Sequence, residues 1–473
     1  MKRIPVFFFI LILTTLSGCN KTATKKHSIP ELIKSGEFAK AETVLKKLIK
    51  KDSTIRKYQI QLETIKRLQK EFTLTEDDIT RQLVKYYPNL SDSDLIRWEE
   101  AGQLEMRIID REKRYFHRAV GNFFRLNPEA KKLKESLDGK EYSGGTEFRE
   151  TVIPGYFKSG IKKAVTFDSH KMKVNYTVTL NPNAVPEGEV VKCWLPYPRV
   201  SSGRLTKVEF LDANNEELII APEETMQRTV YMEKPAVKDS ATVFNVSYII
   251  HTAARWFGVT PNMVKPYDKS GDIYIKYTAE RLPHIVLSDE VKHLAKEIVG
   301  DETNPGKQVH KLFYWIDHNI PWAGALEYSV IESIPQYVLE NRHGDCGMQT
   351  FLFLSLARSL GIPCKWQSGW YLFPQTKNLH DWAEVYYEGV GWVPVDQSFG
   401  LINSDDVRVK EFYIHGMDSY RLIINDDYNR ELYPPKKYYR SEPYDFQRGE
   451  LEWSGGNLYF DTWTYNMEVE YLQ

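Results

Sequence analysis

Residues 342–350 read RHGDCGMQT and run directly into the apolar segment FLFLSLARSL at 351–360. Gly361 and Pro363 follow, and a glycine with a proline close behind it is a common helix stop. The pattern therefore predicts a buried helix that begins at or near Cys346. Helix N-termini favour negative charge, so this position favours the thiolate form of the cysteine.

The helix effect alone is too weak to form a stable thiolate. A helix N-terminus stabilises a nearby anion by up to about 2 kcal/mol, which lowers a thiol pKa by about 1. A free thiol has a pKa of about 8.5 and is only a few per cent ionised at pH 7. A nucleophilic role for Cys346 therefore requires a histidine as base.

Two predicted strands supply a histidine and a carboxylate. Residues 380–387 read HDWAEVYY, and residues 391–396 read GWVPVD after a turn. His380 would take the thiol proton, and Asp396 would orient the imidazole ring. The two residues lie at different distances from the turn, so their contact requires either a β-bulge or a diagonal pairing across the strands.

These motifs together resemble the transglutaminase-like superfamily, which has a papain-like fold. The order of the cysteine, histidine and aspartate motifs and the intervening LGIP at 360–363 carry the resemblance, which is specific over about 287–400. It implies that Cys346 is the nucleophile, His380 the base and acid, and Asp396 the orienting carboxylate. It also implies acyl transfer through a thioester, with an amine or water as acceptor.

Other candidates for these roles are less favourable. His343 lies too close to Cys346 in sequence to reach the correct side of the thiol. Asp381 adjoins His380, and neighbouring strand residues point to opposite faces of a sheet. Asp345 is expected to cap the helix. Cys193 and Cys364 lie in predicted buried strands, where a cysteine is more often a small apolar residue.

An oxyanion hole would use the backbone N–H of Cys346 and one further donor. The indole N–H of Trp322 is a weak candidate, and packing in the core is the favoured explanation of this residue. No paired cysteine or histidine spacing indicates zinc, and no acidic loop indicates calcium. We expect neither a required metal nor a cofactor.

The first nineteen residues predict export. Lys2 and Arg3 precede an apolar run, 6–13, that is too short to span a bilayer, and the sequence LSGC follows at 16–19. This resembles a bacterial lipoprotein signal peptide with the lipid on Cys19, and an ordinary secretory signal is the alternative. We expect a lipid-anchored protein of the cell envelope. Asn20 after the cysteine favours the outer membrane, facing the periplasm.

Composition limits the partners. The chain has 63 Lys and Arg against 64 Asp and Glu, and this near-neutral balance disfavours nucleic-acid binding. If Cys19 carries lipid, three cysteines remain, and an odd number disfavours a full disulfide framework. The expected partners are a peptide or protein substrate, with peptidoglycan-linked peptides included, and the membrane that holds the anchor.

The predicted fold class is α+β, with a papain-like, transglutaminase-like catalytic domain, an N-terminal helical segment and a β-sandwich. The helical domain covers 20–150 after the signal peptide at 1–19 and includes a continuous helical stretch from about Ser93 to Phe124. A linker is expected at Tyr142–Thr146. The remaining boundaries are 155–255 for the β-sandwich, 284–404 for the catalytic domain and 405–473 for a β-rich segment that packs on the catalytic domain.

Two functions follow from this organisation. The first is a thiol enzyme of the cell envelope, a cysteine protease, amidase or acyltransferase that acts on an amide bond. Hydrolysis is favoured, because no residue identifies an amine site. The second is a non-catalytic binding or assembly lipoprotein that uses the transglutaminase-like domain as a scaffold.

Overall fold

The computed structural model describes residues 28–140, 144–163, 165–200 and 204–472. The predicted signal peptide with Cys19, and residues 20–27 after it, lie outside the described residues. The predicted linker also lies partly outside them, and from Gly144 onward it is helical. Among the described helices, none combines the length and the apolar character that crossing a bilayer requires.

The N-terminal part is a helical layer with one small hairpin. Apolar residues at three- and four-residue steps place Phe38, Ala41 and Leu45 on one buried face of the second helix. The elements are α1 (Ile29–Lys34), α2 (Phe38–Lys51), α3 (Arg56–Glu71), α4 (Glu76–Leu83), α5 (Asp92–Glu100), β1 (Met106–Ile109), β2 (Glu112–Tyr115), α6 (Ala119–Leu126) and α7 (Pro128–Asp138).

The hairpin corrects the prediction of continuous helix from Ser93 to Phe124. Strands β1 and β2 pair in antiparallel register between α5 and α6. The turn residues Asp110 and Arg111 both have positive φ, 48° and 76°, as a two-residue hairpin turn requires. A single helix with an apolar inner face would bury Ile108, whereas on β1 this residue is 42% exposed.

A β-rich part follows one longer helix. Alternate residues of its first strand, such as Val174, Tyr176 and Val178, are buried, which is the period of a strand with one face on a core. The elements are α8 (Gly144–Lys158), β3 (Thr166–Leu180), β4 (Val190–Pro196), β5 (Leu205–Ala213), β6 (Leu218–Ile220), β7 (Thr229–Pro235) and β8 (Thr242–Trp256).

The next part holds the motifs that predict chemistry. Ser288 caps one of its helices by accepting a hydrogen bond from Val291 N–H at 3.3 Å, and Pro305 opens another. The elements are α9 (Asp272–Thr278), α10 (Asp289–Val299), α11 (Pro305–Asn319), α12 (Ile334–Asn341), α13 (Cys346–Ser359), β9 (Cys364–Leu372), β10 (Lys377–Tyr387) and β11 (Gly391–Val395).

The C-terminal part consists mainly of short strands and loops. Its elements are α14 (Val407–Lys410), α15 (Phe412–His415), β12 (Gly416–Met417), β13 (Arg421–Asn425), β14 (Glu450–Trp453), β15 (Gly456–Leu458) and β16 (Trp463–Leu472). Single turns of 3-10 helix occur at Pro261–Met263, Tyr328–Val330 and Phe460–Thr462.

Three larger antiparallel sheets organise the β structure. The strand orders are β11-β10-β9-β13, then β12-β8-β3-β16 with β5 also on β8, and β15-β14-β4-β7-β6. The two five-stranded sheets share one apolar core. Segment 405–473 was expected on the catalytic domain, whereas the structure divides it. Strand β13 joins the four-stranded sheet, and β14, β15 and β16 complete the β-sandwich.

Helix α13 packs against the four-stranded sheet and is the central element of the site. The ring of Phe351 stacks on Trp366 of β9 with centroids 4.2 Å apart. Trp366 lies opposite Ala383 of β10, so the helix covers the sheet face that carries Ala383, Val385 and Tyr387. The helices, the sandwich and the four-stranded sheet together confirm the predicted α+β class.

Candidate active site

Cys346 is the first residue of α13, as the sequence predicts. Asp345 caps the helix by accepting a hydrogen bond from Met348 N–H at 3.1 Å. The same oxygen accepts a second hydrogen bond from the hydroxyl of Tyr328 at 2.5 Å. The helix ends before Gly361, whose φ of 77° lies in the left-handed region that favours glycine. The predicted capping role of Asp345 and the predicted stop are both confirmed.

Gly347 lets Tyr328 approach the first turn of α13. A Cβ at this position would lie 2.1 Å from the Tyr328 hydroxyl oxygen, far inside van der Waals contact. The absent side chain thus makes room for the hydrogen bond between Tyr328 and Asp345. Local sequence therefore fixes the position of the helix start, and with it the cysteine.

His380 and Asp396 meet through a diagonal contact. The register of β10 on β11 pairs Ala383 with Val395, so its continuation places Asp396 beside Trp382. Trp382 and His380 lie on the same strand face, two residues apart. His380 Nε2 is 2.9 Å from Asp396 Oδ2, and both side chains are buried. Of the two geometries that the sequence allowed, the structure has the diagonal one, without a bulge.

Asp396 is held by three groups. Besides His380, the Nη2 atom of Arg421 lies 2.7 Å from Oδ2, and Phe399 N–H donates to Oδ1 at 3.0 Å. Burial acts to raise the pKa of Asp396, but its interactions with His380 and with the guanidinium of Arg421, together with the hydrogen bond from Phe399 N–H, outweigh burial and hold this pKa below its ordinary value. Asp396 is therefore an anion at neutral pH and can orient the imidazole.

Aromatic rings surround His380. The centroid of Phe399 lies 4.3 Å from that of the imidazole, and the ring of Tyr371 lies 5.8 Å away. Burial is the largest cause that lowers the pKa of His380; Asp396 opposes it and Arg421 adds to it. The imidazole is thus neutral near pH 7, which is the form a general base requires.

The sulfur of Cys346 has a partner that the sequence analysis rejected. Its Sγ is joined by a hydrogen bond to Asp381 Oδ2 at 3.3 Å, and no hydrogen bond joins it to His380 in the described structure. Asp381 shares a strand face with Ala383, and this is the face that α13 covers. Asp381 and His380 therefore point to opposite faces of the strand, as the sequence predicts, and Asp396 is the carboxylate that contacts His380. The contact of Asp381 with Cys346 was not predicted, and it forms because the helix approaches from the Asp381 side of the strand.

The environment of Cys346 disfavours a thiolate in the resting state. Burial is the largest cause that raises the pKa of the thiol, and Asp381 and Asp345 raise it further. Tyr371 lies close enough for the charge of Cys346 to raise its pKa, although burial is the larger cause. Since the ring of Tyr371 also faces His380, this tyrosine is a neighbour of both the cysteine and the histidine.

Two further site residues come from the C-terminal part. Gln447 Nε2 donates to Asp381 Oδ1 at 3.0 Å and to the backbone oxygen of His380 at 2.8 Å. Arg421 is fully buried and lies over the ring of Phe399, 4.0 Å from its centroid. Neither residue belongs to a motif, so no local pattern marks either of them as part of the site.

Trp322 lies at the surface beside the start of α13. It is 41% exposed, so the expectation of core packing is wrong. Its backbone forms a parallel bridge with Gly344, and the guanidinium of Arg125 lies over its ring at 4.6 Å. The bridge keeps Trp322 next to the loop that leads to Cys346. The oxyanion role of its indole N–H stays a prediction.

The remaining cysteines and histidines near α13 do not compete for these roles. Cys193 and Cys364 are buried free thiols, and burial raises the pKa of Cys364 to about 11. His343 is buried, and burial lowers its pKa to about 4. Among the described residues, no group of three or more potential metal ligands lies together.

A family model described as the transglutaminase-like superfamily matches residues 292–397. This span includes Cys346, His380 and Asp396. The chain contains a transglutaminase-like domain. The match begins within α10 and ends just after β11, so this domain comprises α13 and the strands that carry the histidine and aspartate motifs.

Other proteins resemble longer parts of the chain. An uncharacterized protein of Haemophilus influenzae is 26% identical over 286 residues, which cover 54% of this chain and 73% of that protein. The structure of a candidate cysteine protease from Cytophaga hutchinsonii is 16% identical, with a TM-score of 0.44, and covers 65% of this chain and 92% of its own. The structure of the periplasmic domain of TgpA from Pseudomonas aeruginosa is 12% identical, with a TM-score of 0.23, and covers 51% of this chain and 94% of its own.

Proposed function

We propose that this protein is a thiol enzyme of the bacterial cell envelope that acts on amide bonds through a thioester on Cys346. The observation that carries the proposal is the hydrogen bond of 2.9 Å between His380 and Asp396, in the same transglutaminase-like domain that places Cys346 at a helix N-terminus. A neutral imidazole oriented by a carboxylate is the base that a thiol nucleophile needs.

The reaction uses the second nitrogen of His380. Because Nε2 contacts Asp396, Nδ1 is left to accept the proton of the Cys346 thiol. The sulfur attacks the carbonyl carbon of the substrate. The C–N bond then breaks as the leaving amine takes the proton from His380, and an acyl thioester remains on Cys346.

The thioester is resolved by an acceptor that His380 deprotonates. With water, the acyl group leaves as a carboxylic acid and the thiol is restored, so the net reaction is amide hydrolysis. With an amine, the product is a new amide. The developing oxyanion would be bound by Cys346 N–H, with Trp322 as candidate second donor. We favour hydrolysis, because no described residue identifies an amine site.

The N-terminal sequence supports a compartment, and the compartment limits which amide substrates the protein can meet. Cys19 after the apolar run supports a lipid anchor in the envelope, at the outer membrane and facing the periplasm. Peptides, proteins and peptidoglycan-linked peptides are the amide substrates of that compartment. Cys19→Ala should move the protein from the membrane fraction to the soluble fraction, and an unchanged distribution would contradict the lipid anchor.

Substrate profiling tests the activity directly. Purified protein would be incubated with defined peptides and soluble peptidoglycan fragments, with and without a labelled primary alkylamine, and products followed by mass spectrometry. Cys346→Ala and His380→Ala should abolish product formation, whereas Cys364→Ala, which removes a buried thiol outside the site, should retain it. New termini indicate hydrolysis, and incorporated amine indicates transfer.

The second candidate function is a binding or assembly lipoprotein without turnover. The contact of Cys346 with Asp381 in place of His380 favours it. In that case wild type and Cys346→Ala would give the same product profile. Iodoacetamide would also label Cys346 at neutral pH no faster than an exposed model thiol, and His380→Ala would leave that rate unchanged.

A further inference from the structure

The carboxyl group of Asp381 is buried and has two neutral partners. Its side chain is 2% exposed, Oδ1 accepts a hydrogen bond from Gln447 Nε2 at 3.0 Å, and Oδ2 lies 3.3 Å from Cys346 Sγ. No Lys, Arg or His of the described chain forms an ion pair with it. A buried carboxylate without a cation is unstable, because burial penalises charge.

We propose that Asp381 is a catalytic residue that remains a neutral carboxylic acid and donates a hydrogen bond from its O–H group to the sulfur of Cys346. This inference rests on the proposed function of Cys346 as nucleophile. Gln447 occupies Oδ1, so the acid proton lies on Oδ2, which faces the sulfur. The thiol proton of Cys346 is then not held in a hydrogen bond to Asp381.

The groups that face Asp381 support the neutral form. They come from the start of α13 and from the loops packed against it, and they are mostly acids. Burial is the largest cause that raises the pKa of Asp381, followed by Asp445 and Asp345, and together they outweigh the hydrogen bond with Cys346, which acts to lower it. The titratable groups around it are Cys346, Asp345, Tyr328, Glu442 and Asp445.

A neutral donor resolves a difficulty of the site. Burial and nearby acids raise the pKa of Cys346, so the thiolate that attacks the substrate is costly to form. A hydrogen bond to a charged acceptor is stronger than one to a neutral acceptor, so the Asp381 O–H group stabilises the thiolate more than the thiol. The acid therefore favours transfer of the thiol proton to His380 and contacts the reacting sulfur throughout.

The matched variants Asp381→Asn and Asp381→Leu test this role. Asn keeps a neutral N–H donor of the same shape, and Leu removes the donor. The full-length chain in detergent would be treated with iodoacetamide over a range of pH, and the Cys346 peptide followed by mass spectrometry. Leu should slow labelling near pH 7 by about 10- to 100-fold and raise the thiol pKa, whereas Asn should retain most of the wild-type rate.

Two results would overturn the proposal. Faster labelling of Asp381→Asn than of wild type at neutral pH would show that Asp381 is an anion that opposes the thiolate. Equal labelling of Asp381→Leu and wild type would show that it does not act on the sulfur. Buried Cys364 reports on folding, since its peptide should stay unlabelled in each variant.

An infrared measurement tests the protonation state of Asp381 without the Asp381→Leu variant, so the test does not depend on whether that variant folds. Wild type at neutral pH should show a protonated-carboxyl band that is missing from Asp381→Asn, and identical spectra in this region would refute a neutral Asp381. Neither readout requires turnover. If Cys346 labels as proposed but no substrate is cleaved, the proposed function fails, and with it the catalytic role of Asp381, whereas the hydrogen bond from a neutral Asp381 to the sulfur is supported.

Discussion

Arg421 Nη2 lies 2.7 Å from Asp396 Oδ2, the same carboxylate oxygen that His380 Nε2 contacts at 2.9 Å. The arginine is fully buried, and its Nε also lies 3.4 Å from Asp418 Oδ2. Asp396 is thus stabilised as an anion without a charged imidazole. His380 can be neutral in the resting site, because Arg421 supplies the positive charge that the carboxylate needs.

Loss of Arg421 should destabilise the fold severely. Arg421→Leu would leave Asp396 and Asp418 buried without their cation, and removal of one partner of a buried ion pair typically costs about 3–5 kcal/mol. The free energy of unfolding in urea measures this effect. Arg421→Lys is the matched control, since it keeps the charge and should cost less. A loss from Arg421→Leu below about 1 kcal/mol would contradict the assignment.

The burial of His380 should make stability depend on pH in a known direction. The pKa of His380 is lowered in the folded chain. As pH falls below about 6.5, His380 therefore becomes protonated in the unfolded chain at a higher pH than in the folded chain, and this favours unfolding. Stability is therefore lost from that pH downward. His380→Gln should reduce the difference in unfolding free energy between pH 7 and pH 5. An equal difference in both proteins would contradict the prediction.

Glu71 should affect stability in the opposite direction. It is 5% exposed, one oxygen accepts from Glu327 N–H at 3.2 Å, and burial, followed by the charge of Glu327, raises its pKa to about 8. The folded chain keeps this proton as pH rises, whereas the unfolded chain loses it near pH 4.3, so stability is lost between about pH 4.3 and 8.

Glu71→Gln should therefore raise the melting temperature at pH 8 and change it little at pH 4.5. Glu63→Gln on the same helix is the control, because Glu63 lies at the surface in a pair with Lys66. Thermal unfolding followed by circular dichroism at both pH values gives the comparison. If Glu71→Gln lowered the melting temperature at pH 8, the buried carboxyl would be ionised and stabilising.

Gly347→Ala should disturb the start of α13 and the reactivity of Cys346. The added methyl group would meet the Tyr328 hydroxyl at 2.1 Å, and a clash of this kind typically costs about 1–3 kcal/mol. We expect reduced stability and slower labelling of Cys346 by iodoacetamide. Tyr328→Phe in the same background removes the clashing oxygen and should restore part of the stability. If Tyr328→Phe restored none of the lost stability, the clash with the Tyr328 hydroxyl would not be the cause of the loss.

Short-range features of the site could be predicted from sequence. The apolar run, its glycine stop and the aspartate before Cys346 specify a capped helix through local rules, and the structure has this helix. The contact of His380 with Asp396 was predictable only as one of two geometries. The register that selects the diagonal one depends on the whole sheet.

Long-range features could not be predicted in this way. The partner of Cys346 depends on the face of β10 that α13 covers, and strand alternation alone cannot specify that face. Arg421 and Gln447 reach the site through pairing of the C-terminal strands, and no motif marks them. The hairpin at 106–115 was missed because its apolar residues also fit a helical period.

The division of segment 405–473 between two sheets has a consequence for how the protein acquires its chemistry. Ribosomes make Cys346, His380 and Asp396 before Arg421 and Gln447, and domains generally fold in the order of synthesis. A nascent chain would thus carry the Cys346 thiol before Arg421 contacts Asp396 and before Gln447 contacts Asp381. The surroundings of the thiol are therefore complete only after the last strands have been made and have paired.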